Sequence, residues 1–117
     1  MSINKVTLIG RLGADPEIQY LPNGTCKAQF SLATNESYKD KEGKLQNVTD
    51  WHSIIAWGRI AETVEKLLKS GYQVYIEGKL KYSEFESKSI PGLMVKKAQV
   101  KIDILKCLSR PYDCTCS

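Results

Sequence analysis

The chain has 117 residues, of which 42% are hydrophobic and 26% are charged, and its formal net charge is +4. These values are typical of one globular domain that is long enough to bury a genuine core. No segment resembles a signal peptide, a transit sequence or a membrane span, so we expect a cytoplasmic protein. The mild basicity suits binding of a polyanion, although many ordinary domains share it.

The first third of the chain is predicted to form two strands. Val6 and Leu8 alternate with polar residues, and Gly10 and Gly13 then predict a bend or bulge. The turn signal Pro22-Asn23-Gly24 precedes eight residues, 25–32, in which apolar and polar side chains alternate strictly. This alternation predicts a half-buried strand.

Residues 49–80 are predicted to form a strand, a helix of about three turns and another strand. The first strand contains Trp51 and Trp57, which share one face because an even number of residues separates them. Gly58 breaks this strand, and an apolar stripe at helical spacing follows. The stripe consists of Ile60, Val64, Leu67 and Leu68. Gly71 suits the helix end, and alternation from Val74 to Leu80 predicts the next strand.

Two polar segments, residues 35–47 and 81–97, are predicted to be long loops, and alternation over residues 98–104 predicts a final strand. The loops contain Tyr38 and Phe85, rings for which no core is apparent. The charged run of the first segment is equally typical of a solvated hairpin tip.

This order of elements predicts an all-β fold with one short helix, a five-stranded Greek-key barrel of the OB type. The barrel is predicted to occupy residues 1–108, and residues 109–117 are predicted to form a short, disordered tail. Such barrels bind oligonucleotides on the face of strands two and three and on the adjoining loops.

Other function classes receive little support from the residue types. Cys26 and Cys107 lie in strand patterns, where a free thiol is usually a small buried hydrophobe, and Cys114 and Cys116 lie at the end of the chain. With His52 as the one histidine, neither a metal site nor a Cys/His catalytic pair is predicted. No paired carboxylates in an apolar setting and no phosphate-binding glycine motif are recognisable, so we expect neither an enzyme nor a cofactor.

A protein that binds single-stranded nucleic acid needs exposed rings for base stacking and cations along the phosphates. Tyr38 and Phe85 fit the first need, and Trp57 lies beside Arg59. The pattern alone does not decide whether Trp51 belongs to the core or to a binding surface. The remaining tyrosines and Phe30 are interpreted as structural. Candidate phosphate partners are Lys5, Arg11, Lys44, Arg59, Lys81, Lys96 and Lys97.

Several motifs resemble the bacterial-type single-stranded DNA-binding proteins, in the same order and spacing over about residues 3–104. They are Asn4-Lys5-Val6, Leu8-Ile9-Gly10-Arg11-Leu12-Gly13, Asp15-Pro16-Glu17, Pro22-Asn23-Gly24, Leu32-Ala33-Thr34, Glu36-Ser37, Trp51-His52, Gly58-Arg59-Ile60-Ala61-Glu62 and Gln73-Val74-Tyr75-Ile76-Glu77-Gly78.

The resemblance implies base stacking at four positions and DNA contacts at four cations. The rings are Tyr38, Trp51, Trp57 and Phe85, and the cations are Lys5, Arg59, Lys69 and Lys81. Relatives usually have tryptophan at the places of Tyr38 and Phe85 and phenylalanine at that of Trp57. They often carry cations where this chain has Ser53 and Glu84.

The resemblance also implies a homotetramer and places His52 near subunit contacts, although a hydrogen-bonded core histidine is the alternative. Relatives usually continue into a long linker and an acidic tip that recruits replication and repair enzymes. This chain has RPYDCTCS there, so such recruitment is not expected. The predicted function is sequence-independent binding and protection of single-stranded DNA in replication, recombination and repair. The alternative is an accessory factor on the same barrel, primosomal or RNA-binding.

Overall fold

The computed structural model describes residues 1–109, and the predicted tail lies outside them apart from Ser109. Six strands and one helix occur within the described residues. In chain order they are β1 (Val6–Leu12), β2 (Glu17–Tyr20), β3 (Cys26–Lys39), β4 (Leu45–Trp57), α1 (Arg59–Leu67), β5 (Gln73–Glu86) and β6 (Met94–Ser109).

Five of these strands close into a barrel. Neighbouring strands follow in the order β1-β5-β6-β4-β3, and β3 then pairs with β1 again through Arg11↔Ala33 and Leu12↔Leu32. All pairs in the ring are antiparallel except β4–β6, which is parallel. The predicted five-stranded OB-fold barrel with one short helix is therefore confirmed. The short strand β2, which the sequence analysis did not predict, pairs with β3 outside the ring.

Gly10 lies where the barrel closes. Strand β1 pairs with β5 along Val6–Arg11 and turns at its end to β3, so it must bend between two partners. A Cβ at Gly10 would collide with the backbone carbonyl of Ala33. Only glycine permits this close approach, and the predicted bend at this position occurs inside one continuous strand.

The core consists of the inner faces of the barrel strands and one face of the helix. Its largest fully buried side chains are Leu32, Ile54, Val64, Val74 and Ile76.

Helix α1 contributes the buried Ala61 and Val64, and Leu68 at its C-cap is buried on the same side. The predicted stripe is wrong at Leu67, which is 38% exposed. The buried face of the helix instead includes the small Ala61, which was not part of the predicted stripe.

The two segments predicted as loops are mostly strand. Strands β3 and β4 pair without a register shift from Lys27↔Trp57 to Lys39↔Leu45, so the chain reverses only over residues 40–44. Strands β5 and β6 likewise pair out to Glu86↔Met94. The alternative of a solvated hairpin tip for the charged run is confirmed, and both hairpins extend beyond the core as two-stranded arms.

Candidate nucleic-acid interface

One side of the β3–β4 sheet points away from the core, and we call it the outer face. The inner positions Ala28, Phe30 and Leu32 are buried, so the alternating residues of β3 point outward. Across the outer face the register pairs Lys27 with Trp57, Gln29 with Ile55, Ser31 with Ser53 and Ala33 with Trp51. Both tryptophans therefore lie on one surface, about 20 Å apart along β4.

Trp51 forms a supported and open ring. Its side chain is 60% exposed, although it lies in the middle of a long strand. The six-membered ring lies against Gly13, where an added Cβ would stand 2.7 Å from Cη2. Gly13 is held by a hydrogen bond from its amide to the carbonyl of Ser31, at 3.1 Å. The backbone thus supports the indole without covering it, which is the geometry of a stacking platform.

Trp57 lies at the other end of the outer face and is 37% exposed. The ammonium of Lys27 lies 5.3 Å from the centroid of its ring, within the range of a cation–π interaction. The sequence analysis missed Lys27, because only the strand register brings a residue of β3 beside Trp57. An ammonium over an exposed indole can meet a phosphate while the ring meets a base.

A polar zone extends the outer face from β4 onto β6 and β5. The amide of Gln99 donates to Ser53 Oγ at 3.3 Å and accepts from Ser83 Oγ at 3.3 Å. Lys81 pairs with Gln99 across the β5–β6 ladder, and Lys97 pairs with Ser83. The predicted cation Lys81 therefore lies on the same surface as the two tryptophans.

The strand register separates Tyr38 from this surface. Tyr38 is 55% exposed, but the unbroken register places it on the opposite face of the β3–β4 arm from Trp51. The backbone of Phe85 pairs with Val95 near the end of the other arm. Tyr38 therefore does not continue the row formed by Trp51 and Trp57.

Three of the remaining predicted cations already have a partner. Lys5 Nζ lies 2.8 Å from Glu77, which holds the pKa of the lysine above its usual value and that of the carboxyl below. Arg11 donates to the carbonyl of Gly71 at 2.9 Å, and Lys44 lies 4.0 Å from Glu42 at the hairpin tip.

Arg59 and Lys69 frame the helix. Arg59 is its first residue, and Lys69 follows its last by two positions. Both side chains are exposed. Neither lies on the outer face.

Tyr20 and Tyr82, two of the residues interpreted as structural, lie in different surroundings. Tyr20 donates to Glu65 at 2.7 Å and links β2 to the helix, a bond that raises the pKa of the phenol. Tyr82 instead is 64% exposed. It lies on the β5–β6 arm beyond the core, opposite the small Ala98.

Histidine and cysteine take the positions of ordinary structural residues. His52 is half-buried, and its Nε2 lies 2.8 Å from Thr34 Oγ1. Cys26 is buried and Cys107 half-buried, while Cys114 and Cys116 lie outside the described residues. Within residues 1–109 no group of three or more His, Cys, Asp or Glu side chains could hold a metal ion. Helix α1, the one helix within residues 1–109, is too short to cross a membrane.

Comparisons with known proteins agree with the motifs and the barrel. A model of the single-strand binding protein family matches residues 3–108. The fold is similar to that of an SSB from Plasmodium falciparum solved in complex with ssDNA, at a TM-score of 0.83 and 32% identity; the match covers 93% of this chain and 97% of that one. It is also similar to a deletion variant of the single-stranded DNA binding protein from Thermus aquaticus, at a TM-score of 0.79 and 30% identity, covering 93% of this chain and 52% of that one.

Proposed function

Because the chain belongs to the single-strand binding protein family, we propose that it binds single-stranded DNA without requiring a fixed sequence. In this proposal it shields the strand during replication, recombination and repair, and it acts with DNA in the nucleoid. The observation that carries the proposal is the exposure of Trp51 and Trp57 on one face, with Lys27 over the second ring. The relative from P. falciparum, solved in complex with ssDNA, supports it.

The mechanism is passive. Unstacked bases gain contact on the indoles, and each stacked base contributes roughly 1–3 kcal/mol. Lysines of the outer face, including Lys27 and Lys81, hold the phosphates. A strand bound in this way cannot pair with its complement and is shielded from nucleases. No bond in the DNA is made or broken, so we infer a binding protein and not an enzyme.

Tryptophan fluorescence tests the proposal directly, because Trp51 and Trp57 are the two tryptophans of the chain. Saturation with oligo(dT) should quench their emission strongly, and poly(U) and duplex DNA should compete poorly. An unchanged emission on saturation would contradict the proposal. Preference for RNA or duplex would favour the accessory factor instead.

A homotetramer belongs to the same proposal. Within the described residues, the Val6–Gly10 part of β1 pairs only with β5, so its other edge is open to another strand. Ile9 is exposed on the outer surface of β1, next to this edge, and Ile104 is exposed on that of β6. A mass determination in solution with and without oligo(dT) checks this, and a monomer in both samples would contradict it.

A further inference from the structure

A cleft of about 200 Å³ opens in the outer face between Trp51 and Trp57. Phe30, Ala14 and Asp15 are among its lining residues. The other lining residues are polar side chains: Glu17, Gln29, Ser31, Ser53, Lys97 and Gln99. This volume is well above the roughly 10–15 Å³ that a single water needs, so the cleft has room for a ligand group of several heavy atoms.

Two polar groups in the cleft are available to a ligand. Glu17 on β2 lies directly opposite Gln29 on β3, and within residues 1–109 neither side chain makes a hydrogen bond or ion pair. The other groups are partly committed, because Asp15 accepts from the amide of Ser70 at 2.9 Å and Gln99 bonds to Ser53. A free carboxylate and a free amide thus face each other at the cleft.

The charges of this lining favour a base edge over a phosphate. Asp15 and Glu17 bring two negative charges against the single positive charge of Lys97, and a phosphate there would be repelled. An ionised carboxylate can only accept hydrogen bonds. Among the bases, cytosine offers it the N4 amine, whereas thymine presents the O4 acceptor at the corresponding position.

We propose that this cleft binds the edge of a base that carries an exocyclic amine, cytosine in the first place, and that Glu17 accepts the hydrogen bond. The inference rests on the proposed function, since the tryptophans on either side must first position the strand. It adds a preference for base composition to a surface whose stacking contacts tolerate any sequence.

The experiment compares (dC) and (dT) oligonucleotides of equal length at one salt concentration, by tryptophan quenching. Glu17→Gln keeps the shape of the side chain, removes its charge and adds a donor that suits thymine O4. The ratio of (dC) to (dT) affinity should fall about three- to tenfold, the effect of one good hydrogen bond. The swap variant Glu17→Gln/Gln29→Glu restores one carboxylate to the cleft and should recover the ratio.

The control is Glu62→Gln, which makes the same charge change in the first turn of helix α1 and should leave the ratio unchanged. If Glu17→Gln raises both affinities equally, Glu17 only repels phosphates and the inference is overturned. The inference is also overturned if Glu17→Gln binds (dT) and has the same ratio of (dC) to (dT) affinity as the wild type. If the wild type binds neither oligonucleotide, the proposed function itself fails.

Discussion

The two faces of the β3–β4 sheet carry opposite kinds of side chain, although the same residues alternate between them. The inner face presents Phe30, Leu32 and Ile54, which are almost completely buried. The outer face presents hydroxyls, amides and lysines, with an exposed tryptophan at each end. Because successive side chains of a strand point to opposite faces, the residues that stabilise the core alternate with the residues that can contact a ligand. Substitutions one residue apart should therefore have different consequences.

The largest effect is expected on the inner face. Ile54 is 0% exposed, and Ile54→Ala removes buried methyl groups and leaves a cavity, which should lower the free energy of unfolding by about 2–5 kcal/mol. Denaturant titration followed by tryptophan emission measures this change. Affinity for oligo(dT), measured where the variant remains folded, should change little.

Ser31, on the strand next to Ile54, supplies a comparison on the outer face. Ser31→Ala alters an exposed residue of β3 and should change stability by less than about 0.5 kcal/mol. Equal destabilisation by the two variants would contradict the division between the faces.

The reverse pattern is expected at the outer face. Trp51→Ala should weaken binding of oligo(dT) by roughly 1–3 kcal/mol while unfolding changes far less, because the ring is mostly exposed. Trp51→Phe keeps a flat ring and should recover part of the affinity. Fluorescence anisotropy of a labelled oligonucleotide measures both variants. Wild-type affinity in Trp51→Ala would show that this ring is not a platform.

Sequence alone predicted the barrel because its strands alternate cleanly and Gly58 and Gly71 mark the change to a helix and back. It also drew attention to Trp51 and Trp57, which are exposed on one face, although Trp51 was assigned to binding by family resemblance and not by pattern. It missed the arms, because a two-stranded ribbon solvated on both faces has no apolar period to distinguish it from a loop. It missed Lys27 and the cleft for another reason: both depend on register between strands distant in sequence, as at Lys27↔Trp57 and Glu17↔Gln29.

The support beneath Trp51 gives a finer test of the outer face. In Gly13→Ala the new methyl group overlaps the indole, which must rotate away at a cost of about 0.5–1.5 kcal/mol in binding. A double-mutant cycle isolates the cause, because the substitution should have no further effect on binding in a Trp51→Ala background. Equal losses in both backgrounds would show that Gly13 acts independently of the ring.

A smaller effect is expected from the cation over Trp57. Lys27→Gln should reduce the slope of log affinity against log salt by about 0.7, the contribution of one phosphate contact on a single strand. Lys66→Gln makes the same change in the last turn of helix α1 and should leave the slope unaltered. Equal slopes for the wild type and both variants would show that Lys27 does not contact a phosphate.

The smallest effect concerns a pair on the opposite side of the barrel, where Lys5 bonds to Glu77. Because the pair lowers the pKa of Glu77, its contribution to stability exists above the unfolded-state pKa and is lost as pH falls through the folded value. Because it raises the pKa of Lys5, the same contribution is lost as pH rises through the folded pKa of that lysine. The Tm difference between wild type and Glu77→Gln should therefore be largest near neutral pH and shrink toward both extremes. A difference that is constant with pH would show that Glu77 acts through packing and not through its charge. If Glu77→Gln also tightens oligo(dT) binding, the freed Lys5 reaches the DNA, and the binding surface is not confined to the face that carries the tryptophans.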